Sequence, residues 1–100
     1  MKIRPEEMAV QADNAEQFLK QLANANRLMV LCTLFEGELS VGELNEQIPI
    51  SQSALSQHLA KLRAAGFVST RRESQTIYYQ LSDPRVKTVI QNLYTLFCEP

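Results

Sequence analysis

The sequence predicts an α+β fold, mainly α, in which four helices are followed by a two-stranded hairpin and a closing helix, in the order α-α-α-α-β-β-α. Three observations predict it. Apolar residues recur with a helical period from residue 5 to 66 and again from 84 to 97, and between these stretches the period drops to two. Where one pattern gives way to the next stands Gly, Pro, Ser, Asn or Asp. With 100 residues, 45% of them apolar, the chain has the size of one domain around one modest core, so residues 1–100 are expected to form a single unit.

The first helix is expected over Pro5 to Leu22. Met8, Ala12, Ala15, Leu19 and Leu22 alternate four and three residues apart, the narrow seam that one helix offers another. Asn24 caps a second helix, Ala25 to Phe35, ended by Gly37. Its Leu28, Leu31, Cys32, Leu34 and Phe35 surround most of its circumference, which makes it central. Ser40-Val41-Gly42-Glu43 is a capping box that opens a short third helix, with Val41, Leu44 and Ile48 facing inward and Pro49 ending it. Ser51 then caps the fourth helix, Leu55, Leu59 and Leu62 form its buried stripe, and Gly66 supplies its left-handed end.

After Gly66, Phe67, Val68 and Thr70 predict a short strand, Arg72 to Gln75 a turn, and Thr76 to Leu81 a second strand rich in β-branched and aromatic residues. Asp83 followed by Pro84 starts a last helix to about Phe97, with Val86, Val89, Ile90, Leu93 and Phe97 on one face. The first and last helices carry more apolar surface than so small a core absorbs. They are expected at about 5–22 and 84–97 to cover each other or, equally, to pair two copies in a homodimer.

A short helix, a tight turn at Ile48 to Ile50 and a longer helix with a polar leading face have helix-turn-helix spacing, over about residues 40–66. On that leading face Gln52, Ser53, Ser56 and Gln57 carry donors and acceptors that can pair with base edges, and Lys61 and Arg63 follow. Taken alone this is an ordinary solvated face. The charge distribution favours more. The net charge of −1 conceals four Lys/Arg against eight Asp/Glu in residues 1–50, but Lys61, Arg63, Arg71 and Arg72 against Glu73 alone in residues 51–81. For a polyanionic partner, local sign matters more than the total. The hairpin at about 67–81, with Arg71, Arg72, Gln75 and Thr76 near its tip, suits a phosphate backbone or a minor groove.

Other classes find little support. The N-terminus has no apolar signal segment and the apolar run Leu28 to Phe35 is too short to span a bilayer, so a cytoplasmic protein without membrane contact is expected. No Ser/His/Asp set, carboxylate pair or Gly-rich phosphate loop suggests an enzyme. His58 is the only histidine, so neither a metal site of ordinary ligands nor another cofactor is expected.

Taken together, Leu22-Ala23-Asn24 with Arg27, Glu38 to Leu44, Ser51 to Leu59, Gly66-Phe67-Val68 and Tyr78 to Leu81 resemble the bacterial ArsR/SmtB family of winged-helix transcriptional regulators, over essentially the whole chain. The resemblance implies a winged helix-turn-helix domain, dimeric through its terminal helices, that binds an inverted-repeat operator in double-stranded DNA. Many members sense metals through a Cys-Val-Cys segment on the third helix; here those cysteine positions are Ser40 and Gly42, so metal sensing is not expected. Cys32 and Cys98, with the tip Glu73-Ser74-Gln75-Thr76, are similar to the branch of the family whose two cysteines form a reversible dithiol switch, and imply oxidants or sulfane sulfur as effectors. From the residues alone the same cysteines read as small buried hydrophobes. A protein-interaction module and a small thiol enzyme using Cys32 stand as alternatives.

Overall fold

Eight elements are present in the computed structural model, which describes residues 1–99: α1 (Pro5–Leu22), α2 (Ala25–Thr33), β1 (Leu39–Ser40), α3 (Val41–Gln47), α4 (Gln52–Ala64), β2 (Val68–Glu73), β3 (Thr76–Leu81) and α5 (Pro84–Phe97). The helix starts follow from local chemistry. The Asn24 side chain accepts from the Arg27 N–H at 3.0 Å, Ser51 Oγ from the Ala54 N–H at 3.1 Å, and an Asp83 oxygen from the Arg85 N–H at 2.9 Å. Ser40 and Glu43 cap each other's backbone, at 3.2 and 2.9 Å. Each bond satisfies a donor that a helix start leaves orphaned.

Three boundaries differ from the sequence expectation. α2 ends at Thr33 rather than Phe35, because the Phe35 N–H bonds to the Cys32 carbonyl three residues back and the chain tightens into a turn. The sheet has three strands, in the order β1-β3-β2, rather than two: Leu39 and Ser40 pair with Tyr79 and Tyr78. A two-residue strand shows no period, and its partner lies far along the chain. The hairpin loop is also shorter than Arg72 to Gln75, since Arg72 pairs with Ile77 and Glu73 with Thr76 and only Ser74 and Gln75 turn. Ser74 makes that turn at φ 59°, a conformation that costs an ordinary L-residue roughly 1–2 kcal/mol.

Leu31, Leu34, Leu44, Ile48, Leu55, Leu59 and Leu62 are fully buried together, so α2, α3 and α4 form the centre. Phe67, Val68, Val86 and Ile90 seal it from the sheet and α5. The terminal helices are different. Of the α1 seam only Leu22 is buried; Met8, Ala12, Ala15 and Leu19 line an open apolar groove. On α5, Val86 and Ile90 are buried, but Phe97 of the same expected apolar face is 82% exposed, and Tyr94 and Leu96 are exposed beside it. No helix among the described residues is long and apolar enough to cross a membrane.

Candidate nucleic-acid interface and thiol site

Because Leu55, Leu59 and Leu62 pin one side of α4 to the core, with Ala54 and His58 half-buried beside them, the opposite side is committed to the outside. Ser53 and Gln57 project opposite the buried stripe, and Gln52 and Ser56 flank it on one side; all four are exposed. Lys61 and Arg63 continue the surface toward the C-terminal end. Ser56, Ala60, Arg63 and Ala64 of α4 face Tyr79 of β3 across a shallow groove. Ala60 and Ala64 were not singled out from the sequence, and Tyr79 was noted there only as part of the second wing strand. The four-residue spacing of Ser56, Ala60 and Ala64, a stripe of small side chains on the outward side, was the signal available.

The pleat of the sheet separates the two wing arginines. Arg72 and Ile77 are cross-strand partners and share a face with Tyr79, the face turned toward α4. Arg71 pairs with Tyr78 and shares the opposite face with Ser40. There its guanidinium lies 4.7 Å from the centre of the Tyr78 ring. Its Nε donates to Glu38 at 3.1 Å, its Nη2 donates to the same carboxylate, and its Nη1 donates to Glu73 at 2.8 Å. These bonds hold the Glu38 carboxyl below the ordinary carboxylate range and the guanidinium above its own. Gln75 and Thr76 are exposed at the tip as expected. Among the described residues Lys61, Arg63 and Arg72 enter no ion pair, whereas Arg71, expected to be a free wing cation, is internally neutralised.

His58 is half-buried, and its Nδ1 is enclosed without a partner. Burial, then the cations Arg27 and Lys61, push its pKa down and favour the neutral ring. A neutral, enclosed imidazole is a poor phosphate contact. Arg27 itself donates to the Gln21 and Lys20 carbonyls at 2.7 and 3.1 Å, tying the end of α1 to the start of α2.

Both cysteines are free and exposed, which removes the reading as buried hydrophobes. Cys32 opens on a cleft between α2 and α5 lined by Phe35, Ile90 and Tyr94, with Glu36 and Glu99 also at its walls. Cys98 is the C-terminal cap of α5. Partial shelter of the sulfur pushes the Cys32 thiol up, and a nearby negative Cys98 adds to the shift. Among the described residues no three His, Cys, Asp or Glu side chains gather as metal ligands.

A family model described as bacterial regulatory protein, arsR family, matches residues 24–70. The transcriptional activator HlyU of Vibrio cholerae is 50% identical over 94 residues, covering 94% of this chain and 87% of that protein. The crystal structure of the transcriptional repressor BigR from Xylella fastidiosa superposes with a TM-score of 0.91 at 45% identity, covering 96% of this chain and 98% of that one. A homodimeric winged helix-turn-helix DNA-binding domain from Mycobacterium bovis, solved by NMR, gives a TM-score of 0.76 at 26% identity over 96% of this chain and 89% of that chain.

Proposed function

The chain belongs to the arsR family of bacterial regulatory proteins, in the same branch as HlyU and BigR, and from that premise we propose how it reads DNA and how its cysteines control the reading. It is a DNA-binding transcriptional regulator rather than an enzyme. All 100 residues act as one domain. Two copies joined through α1 and α5 present two α4 helices to the halves of an inverted repeat, about one helical turn or a multiple of it apart. The exposed apolar residues of both terminal helices support this pairing.

Gln52, Ser53, Ser56 and Gln57 read base edges, Lys61, Arg63 and Arg72 neutralise phosphates, and Gln75 and Thr76 approach the backbone at the wing tip. The observation that carries this assignment is the outward surface of α4: four exposed polar side chains followed by cations with no internal partner. Selecting bound duplexes from a randomised pool tests it. An inverted repeat should emerge, and Gln52→Ala or Ser56→Ala should relax preference at particular positions, each good base contact being worth about 1–3 kcal/mol.

Cys32 and Cys98 form a dithiol switch. The Cys32 thiolate attacks the outer sulfur of a persulfide RSSH, RSH leaves, and Cys32 carries the sulfane sulfur; a second transfer does the same at Cys98. The terminal sulfur of one persulfide then displaces hydrogen sulfide from the other and leaves a trisulfide bridge, with sulfane sulfur reduced to sulfide as the thiols are oxidised. Peroxide acts through a sulfenic acid on one cysteine, from which the other thiol displaces water. A thiol pKa pushed up by partial burial and by Cys98 lowers the thiolate fraction and slows both routes. Cys32 at the α2–α5 cleft and Cys98 at the C-terminal end of α5, the helix that forms one wall of that cleft, support the reading. Bridging pulls on helices that carry the core and the dimer seam, and a tenfold to hundredfold loss of affinity needs only about 1.4–2.8 kcal/mol of coupling. Cys32→Ser and Cys98→Ser should bind the selected duplex like the parent when reduced and ignore sodium tetrasulfide. A response like the parent's in either variant overturns the two-cysteine switch.

A further inference from the structure

We propose that Arg71 is a positioning residue, which with Glu38 fixes the wing against the strand leaving α2 so that Arg72 meets the DNA. The proposal rests on the wing contacting DNA as described above.

Ser40, Tyr78 and Arg71 stand on one rung of the sheet, and it is the last rung with three strands. Beyond it, Arg72 to Ile77 continue as a two-stranded lever, and two strands alone are marginal in water. At this fulcrum the Arg71 guanidinium is gripped from three directions. Glu38 accepts from Nε and Nη2, Glu73 accepts from Nη1, and the Tyr78 ring covers one face. The paired bonds to Glu38 are the strong, directional arrangement of guanidinium and carboxylate. Glu38 is itself placed by the backbone, between Gly37 at φ 150° and the first residue of β1. Arg71 therefore joins the segment leaving α2 to the base of the lever. To reach a phosphate on the α4 side of the sheet, where Arg72 stands, it would have to give up both carboxylates and cross to the other face.

The two possible roles predict opposite signs for Glu38. Removing a carboxylate near a polyanion should tighten binding if only net charge matters; it should weaken binding if the carboxylate holds the wing. The experiment measures affinity across a salt series, by fluorescence anisotropy, for a duplex selected by the parent protein, using E38Q, R71Q, E38Q/R71Q and R72Q. E38Q and R71Q are expected to weaken binding by about threefold to tenfold with the parent's salt slope, and the double variant to be no weaker than either, since the two act as one unit. Tighter or unchanged binding by E38Q, or a salt slope for R71Q reduced by about 0.9 per protomer, overturns the positioning role. R72Q reports on the underlying reading. If it keeps the parent's affinity and slope, the wing does not meet DNA and the proposal falls with that reading; if it loses both while E38Q binds tightly, only the positioning role falls.

Discussion

The recognition helix and the wing carry cations of the same kind and dispose of them differently. Among the described residues Lys61 and Arg63 on α4 enter no ion pair, while on β2 one arginine is bound on three sides and its neighbour Arg72 enters no ion pair. In a helix, burial of Leu55, Leu59 and Leu62 decides at once which residues face out, because all positions answer to one axis. In a strand, successive side chains go to opposite faces, so adjacent residues of identical chemistry meet different partners. Two consecutive arginines on a strand are not two copies of one function.

The largest expected effect lies on the helix side. Leu59→Ala removes a fully buried side chain and should cost about 2–5 kcal/mol in denaturant unfolding, whereas Gln57→Ala on the outward face should change stability by less than about 0.5 kcal/mol. Comparable losses for both would mean that the outward face is packed against something and the contrast with the wing fails.

A smaller effect sharpens the wing side through pH. Glu38 has its pKa lowered by its bonds to Arg71, so the contribution of this contact is present above the ordinary carboxylate pKa and fades as pH falls through the lower, folded value. An NMR titration of the Glu38 carboxyl should give a midpoint below that of a free glutamate, and R71Q should return it to the ordinary range. A normal midpoint in the parent would remove the clamp.

The smallest effect is at the turn. Ser74→Gly relieves the left-handed strain of the hairpin loop but adds freedom to the unfolded chain, for a net gain of about 0.5 kcal/mol in thermal unfolding. Destabilisation would mean that Ser74 makes a contact worth more than its strain.

The same contrast explains what was legible in the sequence. Helix starts were, because Asn24, Ser40, Ser51 and Asp83 act on backbone two or three residues away. The outward face of α4 was, because three leucines set its phase. β1 was not: two residues show no alternation, and the strand exists only through Tyr78 and Tyr79. The engagement of Arg71 was not either, since Glu38 lies 33 positions away and nothing local joins them. That Arg71 and Arg72 face opposite ways was readable from the period of two, but the predicted turn at Arg72 ended the strand too early to apply it. The cysteines mark a third kind of limit. Cys32 sits in an apolar run, and whether it faces the core or the α2–α5 cleft depends on how far round α2 the core reaches.

The most direct test is the salt dependence of operator binding by R71Q and R72Q, side by side with the parent. R72Q should lose affinity for all sequences and its log–log slope should fall by about 0.9 for each protomer's missing phosphate contact, while R71Q keeps the parent's slope. A reduced slope for R71Q with an unchanged one for R72Q would show that the wing presents the other face to DNA, and would contradict the account.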